Sequence, residues 1–375
     1  MARKKPGKIR AAFRKSYDGR TRKRDYTRDI GEESANVEDL ASGERVSGKG
    51  RLTRKRTVTG SANETDDAGF QVELSVDESR CLEGRVIKVF GLTSIVQTAK
   101  GPFSCAIRGL LKSLATGLQN SVVAGDHVTI VPGEGDEGVI VRVLPRRNGI
   151  SRTSRGKQQI IVANVDCVLI VASAAEPDLK PNLIDRFLLS VEKAKLQPVI
   201  IINKIDLVSP ASLMQLVGTW GQLGYPILQV SAETWQGMRF LREVLSGRDN
   251  VVVGQSGVGK SSLLNAAFPG LNRRVGSVSD ENQKGRHTTT TAELIPLDGG
   301  GHLIDTPGIR SLQLWDVSAE EVEGLFRDIR PYAHRCRYPN CTHTHEEQCA
   351  VKNAVADGLL DLRRYDSYCQ IRSDL

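Results

Sequence analysis

The sequence has no run of about eighteen apolar residues, so it predicts no membrane span. The basic N-terminus lacks an apolar stretch, which argues against a secretory signal. The cysteines number seven, an odd count, and three of them cluster within residues 336–349 while four are scattered. This distribution is typical of a reducing cytoplasm and one metal site rather than a disulfide framework. We therefore expect a cytoplasmic protein without membrane contact.

Large apolar residues are scarce before Phe70, so we expect residues 1–75 to form a largely disordered tail. Residues 1–28 hold twelve Lys or Arg against two Asp, a net charge of +10. The whole chain has a net charge of +8, so residues 29–375 sum to −2. The positive charge therefore belongs to the tail. Such a tail can serve solubility or targeting, but contact with RNA phosphates is the favoured interpretation.

Five short strand-like runs separated by turn signals follow the tail, at residues 85–90, 94–98, 103–108, 127–131 and 139–144. A longer insert at 109–123 has room for a helix. This order predicts a small closed barrel of the OB type over residues 76–148, although an SH3-like barrel has the same periodicity. OB barrels often bind single-stranded nucleic acid or structured RNA. Few aromatic residues lie on these runs, so a purely structural barrel remains the alternative.

A basic linker is expected at residues 145–157, and α/β alternation follows it. Predicted strands lie at 167–172, 198–202, 227–230, 250–253 and 302–304, and predicted helices at 181–195, 211–223, 234–245 and 261–268. Such alternation favours a parallel sheet covered on both faces. Ligands of these sheets bind at the carboxyl ends of the strands.

One such strand end carries a phosphate-binding loop. Residues 254–261 fit the pattern G-x-x-x-x-G-K-[ST] at every fixed position. Backbone N–H groups of the loop would surround the phosphates, Lys260 would add charge, and Ser261 would bind Mg²⁺. A glycine-rich turn before an ordinary helix is the alternative. The predicted nucleotide contacts are Gly254, Gln255, Ser256, Gly257, Val258, Gly259, Lys260, Ser261 and Ser262.

A second strand end carries Asn203-Lys204-Ile205-Asp206, which predicts recognition of guanine. The Asp206 carboxylate can accept hydrogen bonds from N1–H and the exocyclic amine of guanine, and adenine offers no such pair of donors. The Lys204 stem would cover the base and Asn203 would brace the loop. Ser231 and Ala232 end the next strand, where the Ala232 N–H would meet the guanine carbonyl. An Asn/Asp turn is the structural alternative. A P-loop kinase or ATPase is the functional alternative for the chain, and this segment argues against it.

Two further segments match the switches of a GTPase. Asp305-Thr306-Pro307-Gly308 would hold Mg²⁺ through water at Asp305 and contact the γ-phosphate at Gly308. A threonine from residues 288–291 should complete the Mg²⁺ shell, with Thr289 and Thr290 as the candidates. An exposed edge strand is the alternative for this threonine run. Together the motifs predict a circularly permuted Ras-like GTPase domain over residues 149–316, with guanine recognition placed before the phosphate loop.

The C-terminal segment, residues 317–375, is expected to be a mostly helical zinc-binding domain. Ser318 and Glu321 fit a capping box for a helix reaching about residue 329. Three thiols and one imidazole follow, which match a closed tetrahedral zinc site. The predicted ligands are Cys336, Cys341, His343 and Cys349. His345 and His334 are competing candidates.

With these motifs in this order, the chain resembles the RsgA (YjeQ) family of circularly permuted GTPases from about residue 81 to the C-terminus. The motifs that carry the resemblance are residues 203–206, 254–261, 285–290 and 305–308 and the Cys/His cluster. The resemblance implies a cytoplasmic monomer with one structural Zn²⁺ and with Mg²⁺ bound alongside GTP. It also implies a factor in late maturation of the small (30S) ribosomal subunit. Such a factor binds rRNA on the immature subunit and hydrolyses GTP to release itself and another assembly factor.

The residue after Gly308 bears on catalysis. Ras-like proteins commonly place a water-orienting Gln there, but this chain has Ile309, which cannot orient water. His287 is the catalytic candidate, and the resemblance points to it too. A loop histidine that packs or contacts RNA is the alternative. The alternative function is therefore a GTP-gated RNA-binding module in which hydrolysis is incidental.

Overall fold

The computed structural model describes residues 7–12, 55–60, 78–91, 93–107, 122–154, 157–271, 292–305 and 317–375. Two strands lie within the predicted tail, β1 (Gly7–Ala12) and β2 (Lys55–Gly60), and they pair antiparallel. The other residues of the predicted tail lie outside the described residues, so a largely disordered tail stays a prediction there. Three successive β-branched residues of β2, Thr57 to Thr59, favour the extended conformation. This hairpin falls in a compact unit separate from the one that begins at Leu82.

A closed five-stranded barrel follows, as the sequence predicts. Its strands are β3 (Leu82–Phe90), β4 (Thr93–Thr98), β5 (Gly101–Ile107), β6 (His127–Pro132) and β7 (Glu137–Val143). They are ordered β3-β4-β5-β7-β6, and β6 pairs back onto β3 to close the barrel. The third and fifth strands, β5 and β7, are parallel, and the other pairs are antiparallel. This order identifies the OB type among the two alternatives.

The predicted linker is partly wrong, because its second half is a hairpin. β8 (Gly149–Ser154) pairs antiparallel with β9 (Lys157–Ala163). Ile150 and Val162 face each other in this hairpin, and both are completely buried in a core that continues into the next domain. Burial of these two apolar side chains stabilises the hairpin, although the basic composition of the segment predicted a linker.

The next six strands form the sheet of the domain predicted over residues 149–316. They are β10 (Cys167–Ser173), β11 (Gln197–Asn203), β12 (Ile227–Gln229), β13 (Arg248–Val253), β14 (Glu293–Pro296) and β15 (Gly301–Asp305). Their order is β12-β11-β10-β13-β15-β14, with β14 alone antiparallel to its neighbour within this group. All five parallel strands therefore end at one edge of the sheet, where ligands of such sheets bind.

Helices cover both faces of this sheet. They are α1 (Pro181–Lys193), α2 (Pro210–Gln222), α3 (Met238–Leu245) and α4 (Lys260–Ala267). Residues of α1 and α2 contribute to one hydrophobic cluster, and residues of α3 and α4 contribute to another. Along α3 the buried residues Met238, Leu241 and Leu245 recur at helical spacing, which gives the helix one apolar face. In the described ranges no helix has the length and apolarity needed to cross a membrane.

The barrel and the GTPase sheet form one continuous sheet, because β14 pairs with β3 at Glu293 and Lys88. The same two residues form an ion pair with Nζ and Oε2 2.6 Å apart. A second polar contact joins the domains near the amino end of β13. There the Arg85 guanidinium lies 2.5 Å from one oxygen of Asp249, and His302 Nδ1 lies 2.9 Å from the other.

The C-terminal segment contains α5 (Val322–Leu325), α6 (Arg330–Ala333), α7 (Ala350–Ala356) and α8 (Leu362–Ser373). The single helix predicted from Ser318 is wrong: the chain forms two short helices, because the backbone is extended at Phe326. Half of the predicted capping box is present, since the Ser318 N–H donates to the Glu321 side chain at 3.0 Å. Val322, Phe326 and Ile329 are all buried, so their apolar spacing reports burial rather than helix length.

Candidate nucleotide site and metal centre

The predicted phosphate loop lies between β13 and α4, and three of its glycines have a positive φ: Gly254, Gly257 and Gly259. A Cβ at Gly254 would lie 2.1 Å from the Val171 carbonyl oxygen, a backbone atom of β10. A Cβ at Gly259 would lie 2.6 Å from Asn203 Nδ2. Glycine is therefore required here by conformation and by close approach together.

The loop curls around the ammonium group of its own lysine. Lys260 Nζ donates to the carbonyl oxygens of Gly254 at 2.9 Å and Gln255 at 2.7 Å. Val258 is buried and anchors the loop, whereas Ser256, Ser261 and Ser262 are exposed. An incoming phosphate would find this ammonium beside exposed hydroxyls at a helix N-terminus, which suits an anion with a bound Mg²⁺.

Asn203 links three strand ends through one side-chain amide. Its Nδ2 donates to the Val258 carbonyl in the phosphate loop at 3.0 Å, and its Oδ1 accepts from the Ala232 N–H at 3.3 Å. Asn203 is 1 % exposed, so this buried amide has partners on both of its polar atoms. The structure thus brings the three predicted nucleotide segments together at the carboxyl edge of the sheet.

Lys204 and Asp206 follow β11 at the same edge. Lys204 has a left-handed backbone conformation, and its Nζ donates to the carbonyl of Glu176. Its Cε lies 3.8 Å from the position of a Cβ at Gly259, so the lysine stem passes beside the phosphate loop. Asp206 lies in a single turn of 3₁₀ helix, Ile205–Leu207, and is exposed. This placement suits a carboxylate that receives a base from solvent.

Ser231 shapes the loop that holds Ala232. The serine is completely buried, its N–H donates to the Gln236 carbonyl at 3.0 Å, and its Oγ accepts from the Thr234 N–H at 3.1 Å. The hydroxyl is therefore committed to the turn. The Ala232 N–H, which the sequence predicted to meet the guanine carbonyl, donates to Asn203 Oδ1 in this structure.

Asp305 is the last residue of β15, which pairs in parallel with β13 so that Ile304 lies opposite Val251. The backbone of Asp305 is therefore at the same edge of the sheet as the phosphate loop. The other predicted residues of the switches, His287, Thr289, Thr290 and Gly308, lie outside the described residues. The nucleotide and magnesium roles of the site residues stay predictions.

The loop after β10 makes a contact that the sequence did not predict. The Glu176 carbonyl accepts from Lys204, and Pro177 Cδ lies 3.7 Å from the position of a Cβ at Gly257. This loop therefore touches both the base-recognition segment and the phosphate loop. The rule that parallel strands end at one edge would have predicted it, because β10 lies between β11 and β13.

The four predicted zinc ligands converge, with one ligand atom of each within 4.8 Å of all the others. The sulfurs of Cys336 and Cys349 are 3.8 Å apart, and His343 Nδ1 is 3.4 Å from each of them. Tetrahedral zinc with Zn–S bonds of about 2.3 Å places two sulfurs roughly 3.8 Å apart. The donor set and its spacing therefore fit zinc, which would be held by three thiolates and one imidazole.

The alternative ligands do not join this cluster. The side chain of His345 is 80 % exposed and its Nδ1 contacts the Thr344 hydroxyl, and His334 is also exposed. His343 is 1 % exposed, and Cys341 and Cys349 are buried with it. Burial raises the pKa of the Cys341 thiol to about 12 and raises that of Cys349 as well. A bound cation would be needed to hold these groups as thiolates at neutral pH.

Comparison with known proteins shows similarity to one family of GTPases. A family model described as RsgA GTPase matches residues 143–315. A small ribosomal subunit biogenesis GTPase RsgA from Gemmatimonas aurantiaca is 42 % identical over 298 residues, which cover 78 % of this chain and 97 % of that protein. One of the same name from Sodalis glossinidius is 40 % identical over 296 residues, covering 77 % of this chain and 84 % of that protein.

Solved structures show the same relationship. YjeQ from Thermotoga maritima aligns with a TM-score of 0.65 at 34 % identity, covering 79 % of this chain and 98 % of that one. YloQ, described as a circularly permuted GTPase, aligns with a TM-score of 0.62 at 28 % identity, covering 80 % and 97 %. The relatives match more than three quarters of this chain, at 40 to 42 % identity for the two sequences named above, and by these similarities the chain belongs to the RsgA GTPase family.

Proposed function

We propose that this protein is a GTPase that binds the immature small ribosomal subunit through rRNA in the cytoplasm. It would act in late maturation, where GTP hydrolysis drives its own release and that of another assembly factor. The observation that carries the proposal is the convergence of Asn203, the phosphate loop and Ala232 at one sheet edge, in a chain whose relatives are named for small-subunit biogenesis.

Guanine selectivity rests on Asp206 and hydrolysis on the segments that carry the metal. Ser261 and Asp305 would hold Mg²⁺ with Thr289 or Thr290, and Gly308 would contact the γ-phosphate. Ile309 leaves water without its usual orienting Gln, so the protein alone should turn over slowly. His287 would orient the attacking water once the subunit has docked.

A surface beside the zinc cluster supports the RNA partner. Residues 330–340 hold three Arg and no Asp or Glu. Arg335 lies over the ring of Tyr332 at 6.0 Å, and Arg337 lies over that of Tyr338 at 5.6 Å. Arg335, Arg337 and Tyr338 are exposed. Arginine beside an exposed aromatic ring suits phosphate contact and base stacking on single-stranded RNA.

The test is GTP turnover measured for the protein alone, with small subunits and with large subunits. We expect a basal rate on the order of 10⁻⁴ to 10⁻³ per second, as for Ras without its activator, and a rise of tenfold or more with small subunits only. Equal rates in the three mixtures would refute stimulation. They would favour the GTP-gated binding module if affinity for the subunit still differed between GDP and a non-hydrolysable GTP analogue.

Variants separate the RNA surface from catalysis. Changing Arg335 and Arg337 to Ala together should raise the subunit concentration needed for half-maximal stimulation and leave basal turnover unchanged. Arg239→Ala is the control, because this arginine on α3 is 87 % exposed and forms an exposed ion pair with Glu243 within the described part of the chain. An unchanged half-maximal concentration in the double variant would exclude this surface from subunit binding. His287→Ala should abolish most of the stimulation.

A further inference from the structure

The imidazole of His343 has a second partner on the side away from the cysteines. Its Nδ1 faces the sulfurs of Cys336 and Cys349, whereas its Nε2 lies 3.0 Å from Glu323 Oε2 on α5. We propose that Glu323 is a positioning residue of the zinc site, which fixes the ring of His343 with Nδ1 toward the metal. This proposal rests on the assignment of the Cys/His cluster as a zinc site.

The chemistry of imidazole requires such a partner. A neutral imidazole has one N–H donor and one lone pair, and a metal takes the lone pair. When Nδ1 binds the metal, Nε2 must carry the proton and donate a hydrogen bond. His343 is 1 % exposed, so water cannot reliably accept this hydrogen bond. Carboxylates in this position orient the ring and raise the basicity of the ligating nitrogen.

Other groups already hold the backbone around His343. The side chain of Glu346 accepts from the N–H groups of Thr342 at 2.6 Å and Thr344 at 3.2 Å. Tyr365 donates to the His343 carbonyl at 2.8 Å, and Tyr368 donates to the Thr342 carbonyl at 2.9 Å. With the backbone fixed, the remaining freedom of His343 is rotation of its ring. Glu323 is the group that limits this rotation.

Because Glu323 lies on α5, its contact with His343 also connects the metal site to the packing of that helix. Helix α5 lies between β15 and the cluster, and its preceding residue Glu321 contacts Lys193 at the end of α1. Metal bound to His343 would therefore favour one placement of Glu323 and of α5. Zinc should stabilise the contact of α5 with α1 as well as the cysteine loop.

The test compares Glu323→Ala with Glu323→Gln in the full-length protein. Zinc affinity is measured by competition with a chromogenic chelator, and ring ligation is followed by the visible absorption bands of the Co²⁺-substituted protein. Loss of an outer carboxylate typically lowers metal affinity 10–100-fold, so we expect a loss of about that size for alanine. The glutamine amide oxygen can still accept from Nε2–H, so this variant should stay within roughly threefold of the parent.

Glu320→Ala is the matched control, because Glu320 is exposed in the same stretch and does not contact His343 among the described residues. It should leave zinc affinity unchanged. Equal affinity of the alanine variant and the parent would overturn the proposal. So would equal losses for alanine and glutamine, since these would indicate a role of charge alone. GTP affinity measured in parallel reports whether each variant is folded. A parent protein without zinc would refute the metal site itself.

Discussion

At the scale of single residues, Asn203 connects the segment predicted to recognise guanine to the predicted phosphate loop. One side-chain amide contacts the backbone of Val258 and that of Ala232, so the two loops cannot move independently of β11. Asp206 lies three residues further on and is exposed at the same edge. The buried Asn203 therefore holds the two loops in place, and the carboxylate of Asp206 is exposed and available to contact a base.

The first prediction concerns this selection. Asp206→Asn should lower affinity for GTP and favour xanthosine triphosphate, because xanthine offers a carbonyl where guanine has an amine. A competition assay with both nucleotides measures the change, and rejection of an unpaired group of this kind can reach 10⁴-fold. Asp357→Asn, an equal loss of charge at an exposed residue outside the site, should leave the preference for GTP intact. If Asp206→Asn also leaves it intact, this loop does not read the base.

The second prediction concerns Asp249, between the barrel and the GTPase sheet. Burial opposes its charge, but hydrogen bonds from His302 and Arg85 hold its pKa below the ordinary value. A carboxyl with a lowered folded pKa stabilises the fold above its unfolded pKa of about 3.9, and this contribution is lost as pH falls further. Asp249→Asn should therefore lower the free energy of unfolding by about 1–3 kcal/mol at pH 7.

Urea unfolding between pH 3 and pH 7 tests this assignment. The difference between parent and Asp249→Asn should shrink as pH falls below about 4, where the parent loses the same charge. A difference that stays constant over the whole range would show that the ionised carboxylate is not the stabilising species. Glu243→Gln serves as control, since this exposed ion pair should contribute less than about 1 kcal/mol.

At the scale of elements, the phosphate loop shows how tightly a motif depends on its neighbours. Gly254 approaches the backbone of β10, and Gly259 approaches the side chain of Asn203. The two glycines therefore meet different obstacles. A strand carbonyl cannot move without breaking the sheet, whereas an amide side chain can rotate at the expense of its hydrogen bonds.

The third prediction follows from this difference. Gly254→Ala should lower the free energy of unfolding by about 3 kcal/mol or more, because a positive φ and a backbone clash act together. Gly259→Ala should lower GTP affinity more than stability, since it displaces Asn203. Gly218→Ala is the control: within α2 its Cβ would meet nothing within 4 Å, so a gain of about 0.5–1 kcal/mol is expected. Urea unfolding measures the stability, and nucleotide titration measures the GTP affinity. If Gly254→Ala and Gly259→Ala lose the same stability and the same affinity, the two glycines do not meet different obstacles.

The elements that the sequence predicted are those with a strong local signal. The barrel runs, the buried strands and the amphipathic α1 carry their period in their own residues, so their positions agree with the structure. The strand β14 was missed because it pairs with distant residues such as Lys88. The hairpin of β8 and β9 was missed because its basic local composition does not show that Ile150 and Val162 are buried in a core shared with the next domain. The clustering of Asn203 with the phosphate loop could be predicted, because both follow the carboxyl ends of parallel strands. The Glu323 contact did not, because it depends on how α5 folds back onto the cluster.

At the scale of the whole molecule, the C-terminal segment is held against the GTPase domain by a buried arginine. Arg364 of α8 contacts Asp185 of α1 and donates to Asp328 at 2.8 and 3.0 Å, and Trp220 of α2 donates to Asp185 at 2.9 Å. Burial opposes the charge of Arg364, but Asp185 and Asp328 together raise its pKa. The C-terminal segment with the Cys/His cluster therefore contacts α1 and α2 in addition to its covalent connection to β15.

The fourth prediction concerns this contact. Arg364→Met should lower the free energy of unfolding by about 3–5 kcal/mol, because it leaves the buried Asp185 and the partly buried Asp328 without their cationic partner. The neighbouring Arg363→Met removes an arginine that is 35 % exposed and paired with Asp361, so it should cost less than about 1 kcal/mol. Urea unfolding of the two variants provides the comparison. If both variants lose a similar free energy of unfolding, the buried ion pair stabilises the fold no more than the exposed one does.

The sheet order also has a bearing on how the chain is made. Central strand β10 pairs with β11 on one side and with β13 on the other, and β13 lies about 80 residues further along the chain. At about 5–20 residues per second, a translating ribosome would leave one edge of β10 unpaired for several seconds. An exposed strand edge is a template for wrong pairing. Nascent chains stalled with residue 247 outside the exit tunnel should therefore be cleaved by protease within β10 to β12, whereas chains with residue 271 outside should resist. Equal resistance would mean that the guanine-recognition half of the sheet folds before the phosphate-loop half exists.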